Sequence, residues 1–193
     1  MQAFLALVDR LNEAGGDERA RVEAEIWERF GVERAVLALD MSHFSLSVRR
    51  SGILPYLALI RRMQALTAPI VARHGGAVVK YDADNMLASF PTVGEAASAA
   101  LAINRAIADG AERFSVSMGV DFGRFLLVDD IDCYGDPVNV ACKLGEDVAD
   151  SGEVLLTAAA QAHLDASFPY ALRDQKVSVS GLEVHVFAVE AAR

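Results

Sequence analysis

The chain has 193 residues, 53% of them hydrophobic, with a formal net charge of −9; this suits one domain with a short appendage and supplies a sizeable core without disorder. The acidic balance argues against a nucleic-acid footprint, which needs a basic face to meet the phosphates, although a single mononucleotide needs only a few local cations and a metal. Two cysteines, Cys133 and Cys142, are too few for a disulfide framework and point to a reducing, cytoplasmic compartment.

The first segment, Met1 to Gly15, carries an apolar stripe of Phe4, Leu5, Val8 and Leu11 interrupted by Asp9 and Arg10. Those charges spoil a signal-peptide core, and the segment is too short to span a bilayer. Gly15-Gly16 ends it, and Asp17 reads as the cap of a second helix from Glu18 to about Phe30, with Val22, Ile26, Trp27 and Phe30 on one face. Residues 1–32 therefore read as a helical hairpin ahead of a single domain over residues 33–193. Packing or dimerisation, a surface for a partner, and a simple cap all fit the hairpin; Trp27 reads as a buried anchor.

Ala35 to Leu39 form an uninterrupted apolar run, expected to be a strand buried on both faces that delivers Asp40. A helix is expected to begin after Ser42 or Ser45, and backbone N–H groups at such a start receive phosphate oxygens, which makes Phe44 and Ser45 substrate-binding candidates. A helix-periodic segment, roughly Leu54 to Arg73, then crosses back. Ala77 to Val79 leads through Lys80 and Tyr81 to Asp82-Ala83-Asp84-Asn85, and Met86 to Phe90 resume an extended pattern, which predicts a β-hairpin with carboxylates at its tip. Strands laid side by side put Asp40 and Asp84 within reach of one cation. Such a pair suits magnesium or manganese, hard ions that take oxygen ligands and share them with substrate phosphates; taken singly, each acid is also an ordinary turn former or helix cap.

Further on, Glu95 to Ala108 reads as an Ala-rich helix and Phe114 to Val120 as a strand, set apart by Gly123-Arg124 from Phe125 to Val128. Asp129, Asp130 and Asp132 read as a solvated acidic loop. Asp136 and Pro137, cap and first-turn proline, open another helix. On it Asn139 and Lys143 share one face while Val140, Leu144 and Val148 occupy another. An amide beside a cation suits a ribose and a phosphate. A strand from Glu153 to Leu156, a short helix from Ala158 to Leu164 and two late strands near Lys176 to Ser178 and Glu183 to Val189 complete the chain.

Three stretches, Asp40-Met41-Ser42-His43-Phe44-Ser45, Lys80-Tyr81-Asp82-Ala83-Asp84, and the run from Asp132 to Lys143, resemble in order and spacing the motifs of the class III nucleotide cyclases, the adenylate and guanylate cyclase catalytic domain, over about residues 33 to 190. The resemblance implies an α/β (α+β) fold with a ferredoxin-like βαββαβ core, preceded by the hairpin and extended by C-terminal strands. It also implies an enzyme that converts ATP to 3′,5′-cyclic AMP and pyrophosphate with two divalent cations, Mg2+ or Mn2+. The working form it implies is a homodimer in which Asp40 and Asp84 of one subunit meet Lys80, Asp132, Asn139 and Lys143 of the other.

By the same resemblance the metal ligands are Asp40, the main-chain carbonyl of Met41, and Asp84, preferred over Asp82 because it keeps the spacing from Lys80. Lys80 and Asp132 read adenine, the ammonium donating to a ring nitrogen and the carboxylate accepting from the exocyclic amine. Arg124 grips the triphosphate, Asn139 orients the ribose, and Lys143 stabilises charge developing on the transferred phosphoryl group. Two positions depart from the family. Ala83 stands where glycine is usual, so the left-handed turn residue is expected at Asp82 or Asn85. Lys143 stands where arginine is usual, keeping the charge without the fork. The lesser alternative for both Arg124 and Lys143 is a plain surface residue. The competing functions are a guanine or pyrimidine nucleotide cyclase, and a catalytically silent nucleotide-binding module that signals through dimerisation.

Overall fold

The structure, a computed structural model, describes residues 1–42, 52–110, 114–179 and 182–190. Two helices, α1 (Gln2–Glu13) and α2 (Gly16–Phe30), lead straight into strand β1 (Gly31–Met41). Then follow α3 (Ile53–Arg73), β2 (Ala77–Asp82), β3 (Asn85–Phe90), α4 (Val93–Asp109), β4 (Val116–Val128) and β5 (Asp132–Tyr134). Helix α5 (Asp136–Lys143) runs into a π-helical turn (Leu144–Val148), after which come β6 (Val154–Thr157), α6 (Ala158–Ala162), β7 (Ala171–Val179) and β8 (Leu182–Glu190). The strands form one sheet in the order β2-β3-β1-β4-β6-β8-β7, with β5 paired to β4. Its first four strands, threaded by α3 and α4, are the expected ferredoxin-like βαββαβ core, and the late strands extend it.

Strand β1 is the hinge of this architecture. It pairs antiparallel with β3 on one side and β4 on the other, so Ala35 to Leu39 are all buried. Successive side chains alternate between the sheet faces. Ala35, Leu37, Leu39 and Met41 join the core beneath α3 and α4 with Ile60, Met63, Ala100 and Ile103, whereas Val36 and Ala38 join Phe125, Val138 and Ala141 under α5. Each fully buried Leu or Phe in these layers contributes about 1.5–3 kcal/mol relative to exposure. Asp40 continues the Val36 and Ala38 parity and falls on the α5 face.

Local chemistry sets several boundaries differently from expectation. Strand β4 runs through Gly123-Arg124 without a break, because pairing with β1 holds Arg124 opposite Glu33. Thr92 and Glu95 form a reciprocal capping box and start α4 at Val93, ahead of the expected Glu95. Gly15 rather than Asp17 caps α2, and Gly135 rather than Asp136 caps α5; Asp17 and Asp136 fall in the first turns, where carboxylates favour the helix dipole. In the β2–β3 hairpin Ala83 itself takes the left-handed conformation, φ 49°, not Asp82 or Asn85.

Helix α5 lies against the sheet at a close approach. A Cβ on Gly119 of β4 would stand 2.6 Å from Leu144 Cβ and 2.8 Å from the Gly145 nitrogen, so only hydrogen lets the helix seat there. The hairpin α1–α2 packs Phe4, Leu7, Val22, Ile26 and Phe30 on Val128. Trp27, expected as a buried anchor, is half-exposed.

Candidate functional site

Antiparallel pairing of β1 with β3 sets Asp40 opposite Asn85, next to Asp84 in the hairpin tip. Asp84 is only 9% exposed and accepts a hydrogen bond of 3.1 Å from the Tyr56 hydroxyl of α3. Asp82, the other candidate, is exposed. Burial first, then the Asp84 carboxylate, then Glu146 and Asp147, push the Asp40 carboxyl up to about 7, the signature of like charges crowded where water is scarce.

The donor set here, Asp40, Asp84 and the Met41 carbonyl at the end of β1, is all oxygen and fits a hard divalent cation. Beside it the Asn85 side-chain oxygen is buried without a hydrogen-bond partner, a polar atom that a bound ion or its water would satisfy. Among the described residues no group of three or more His, Cys, Asp or Glu side chains gathers as a metal cluster, so the chain offers a carboxylate pair.

Adjacent to the pair is a cavity of about 280 Å³ lined by residues that include Lys80, Asn85, Tyr134, Asn139 and Glu146. A register shift between Val78 and Lys80 bulges β2, the kind of irregularity that re-aims a side chain. Lys80 reaches β5 and binds Asp132 Oδ1 at 2.7 Å. Asp132 is thus a strand residue in an ion pair, not part of a solvated loop. Burial works to raise its carboxyl, but hydrogen bonds from Lys80, Tyr134 and the Cys133 amide outweigh that and hold it below the ordinary range. The hydrogen bond to Asp132 in turn raises Lys80 and keeps it a cation. Cys133 and Cys142 also line the cavity; burial pushes both thiols up to about 11, so neither is a nucleophile at neutral pH. A larger open cleft of about 610 Å³, lined by Arg73, Glu95 and Phe168 among others, holds none of the candidate residues.

The remaining candidates separate. Asn139 lines the cavity from α5. Lys143, one turn on, is exposed and lies 3.8 Å from Asp147. Arg124 stands seven residues beyond Ser117, the β4 partner of Asp40, roughly 20 Å along the strand, with its guanidinium 4.4 Å from the Trp27 ring centroid. Within one chain it is therefore apart from the carboxylate pair. Phe44 and Ser45 lie outside the described residues. Three residues at the site escaped the sequence reading: Tyr56, Tyr134 and Glu146. Tyr134 had a signal, since two residues after Asp132 in a strand is the same face; Tyr56 and Glu146 reach the site only through tertiary packing.

No family model matches the chain. A putative adenylate cyclase 3 from Rhizobium meliloti (strain 1021) is 32% identical over 130 residues, 64% of this chain but only 22% of the relative's length; the chain thus spans about a fifth of that protein. Among solved structures, an adenylate/guanylate cyclase/hydrolase from Silicibacter pomeroyi matches at 27% identity with a TM-score of 0.67, covering 84% of this chain and 99% of that one. The catalytic core of a rhodopsin-guanylyl cyclase with converted specificity, solved with ATPαS, matches with a TM-score of 0.74 at 18% identity over 83% of this chain and 98% of that one. These likenesses bear out the resemblance read from the three motifs. No helix among the described residues is long and apolar enough to cross a membrane.

Proposed function

Starting from a chain that folds as a class III nucleotide cyclase catalytic domain, we propose that it is an adenylate cyclase, closing ATP to 3′,5′-cyclic AMP. The ribose 3′-oxygen forms a bond to the α-phosphorus, the bond from that phosphorus to the β-phosphate bridging oxygen breaks, the 3′-hydroxyl proton is lost to solvent, and pyrophosphate leaves. The observation that carries this reading is that one chain holds both halves of such a site, the Asp40–Asp84 carboxylate pair and a cavity lined by Lys80 and Asn139.

Asp40, Asp84 and the Met41 carbonyl would hold two divalent cations, magnesium or manganese, which would supply Lewis acidity for the phosphoryl transfer. The Lys80–Asp132 pair reads the base: the ammonium donates to a ring nitrogen and the carboxylate accepts from the exocyclic amine, which favours adenine over guanine. Asn139 orients the ribose, and Lys143 offsets charge developing on the phosphoryl group. Arg124, with Phe44 and Ser45, serves the triphosphate. In a homodimer, Asp40 and Asp84 of one subunit face Lys80, Asp132, Asn139 and Lys143 of the other, with residues 33–193 as the catalytic domain and the hairpin 1–32 as a separate appendage. Two free cysteines support a cytoplasmic setting.

Incubating the protein with each nucleoside triphosphate and manganese, and identifying products by mass, tests the reading. Cyclic AMP is expected; cyclic GMP, CMP or UMP instead would replace the base assignment. One observation favours a silent nucleotide-binding module: the Lys143 ammonium is near Asp147 and lacks the fork of an arginine. Triphosphate binding without any cyclic product would establish that alternative.

A further inference from the structure

A carboxylate offers four acceptor lobes on two oxygens. On Asp132, Oδ1 takes the Lys80 ammonium at 2.7 Å and the Cys133 amide at 2.9 Å, and Oδ2 takes the Tyr134 hydroxyl at 2.8 Å. Among the described residues one lobe, on Oδ2, takes no donor, at the edge of the cavity that its partners Lys80 and Tyr134 line. Tyr134 lines that cavity, and its hydrogen bond to Asp132 raises the phenol above its ordinary range, so it is a donor at neutral pH. Its own strand is not all that holds it. The ring stacks on Phe4 of α1, centroids 5.5 Å apart and planes within 9°. Phe4 is buried and braced edge-on by Phe30 of α2 at 5.2 Å. An unbroken line of contacts therefore runs from the N-terminal hairpin to the carboxylate.

We propose that Tyr134 is a positioning residue for the nucleotide base: its hydroxyl fixes Asp132 so that the free Oδ2 lobe accepts from an exocyclic amine, and Phe4 holds the tyrosine in the rotamer that does so. This rests on the reading of Lys80 and Asp132 as the base-reading pair. An amine donates to the free lobe, whereas a carbonyl there sets lone pair against lone pair, and only a turn of the carboxylate relieves it. Without the Tyr134 hydroxyl that turn is permitted, and discrimination falls. By way of Phe4 the hairpin thus has a hold on which nucleotide is accepted.

The test is binding of 3′-deoxy-ATP and 3′-deoxy-GTP, which cannot cyclise, with manganese, to the full chain and to Tyr134→Phe, Phe4→Leu, Asp132→Asn and the Tyr134→Phe/Asp132→Asn double variant, with melting curves for each. Tyr134→Phe keeps the stack and removes only the donor. It is expected to weaken 3′-deoxy-ATP roughly 3- to 10-fold, to narrow the preference over 3′-deoxy-GTP, and to add nothing in the Asp132→Asn background. Phe4→Leu shifts the same ratio in the same direction, and in turnover KM rises with kcat little changed. A Tyr134→Phe variant with wild-type Kd and selectivity overturns the proposal while leaving the base-reading pair intact. A wild-type selectivity in Phe4→Leu overturns the role of the hairpin. Equal binding of both nucleotides by the wild type and by Asp132→Asn removes the base-reading pair and this proposal with it.

Discussion

The Tyr56 hydroxyl, in the first turn of α3, donates a hydrogen bond of 3.1 Å to Oδ2 of Asp84 at the tip of the β2–β3 hairpin. Both residues are buried, at 3% and 9% exposure. Burial first, and then Asp84, raise the Tyr56 phenol above its ordinary range, so it stays a donor and leaves Oδ1 of Asp84 for a cation. Tyr56→Phe keeps the ring and removes the donor. The expected result is a loss of about 1 kcal/mol in stability, a melting-temperature fall of roughly 2–4 °C for a chain of this size, and a several-fold higher manganese requirement. Manganese titration of activity checks it; an unchanged requirement would show that Tyr56 only packs.

Asp40 yields a pH dependence with a definite sign. Its folded-state carboxyl titrates near 7 against an ordinary 3.8, so between those values the folded chain binds more protons than the unfolded one. Stability of the metal-free protein therefore falls as pH rises from about 4 through 7. A divalent cation compensates the crowded charge and flattens the trend. Melting curves of the metal-free protein at pH 5.5 and 8, each repeated with manganese, should show the higher value at pH 5.5 only without metal. Asp40→Asn removes the repulsion, so it should raise metal-free stability at pH 8 while abolishing turnover.

The core was legible because its signals are local. The apolar run Ala35 to Leu39, the helix period of Leu54 to Arg73 and the turn at Asp82 to Asn85 each specify an element, and the order of those elements fixes β1 between β3 and β4. Asp40, Asp84 and Asn139 stood out by type and spacing, whereas Lys80 and Asp132 were singled out only by the resemblance, since Asp132 by itself read as part of a solvated loop. What escaped depends on packing between distant segments. Nothing in the sequence around Trp27 says that Arg124 will lie over its ring, and nothing near Phe4 says that it will stack on Tyr134. The turn at Ala83 shows the opposite failure: a steric rule pointed to Asp82 or Asn85, but the strands leave Ala83 to take the positive φ, a cost that the paired strands outweigh.

Gly119 offers a mechanical test of how α5 is placed. An added methyl group would press on Leu144 Cβ at 2.6 Å and on the Gly145 nitrogen at 2.8 Å, and Gly145 in turn lies against Ala38 and Gly119. None of these neighbours is the free end of a flexible side chain, so the helix must lift. Gly119→Ala should cost about 1–3 kcal/mol as overpacking and displace Asn139 from the cavity lining. A loss of kcat larger than the small fall in melting temperature explains is the expected outcome. Wild-type kcat would show that the seat of α5 tolerates the shift.

Lys143 carries the question of whether the chain turns over at all. If it acts on charge that develops in the transition state, Lys143→Ala lowers kcat far more than it raises KM, because such an interaction adds little to ground-state binding. Lys143→Arg, which restores the fork, keeps or improves kcat. Complementation adds a geometric arm to the test. With shared sites in a homodimer, Asp40→Ala and Lys143→Ala each impair both sites, but a mixed dimer holds one site free of either substitution and one carrying both. Mixing the two impaired proteins should therefore restore measurable turnover. Restoration fails if Asp40 and Lys143 of the same chain serve the same site, and unchanged kcat in Lys143→Ala would reduce the lysine to a helix-surface partner of Asp147 and turn attention to Arg124.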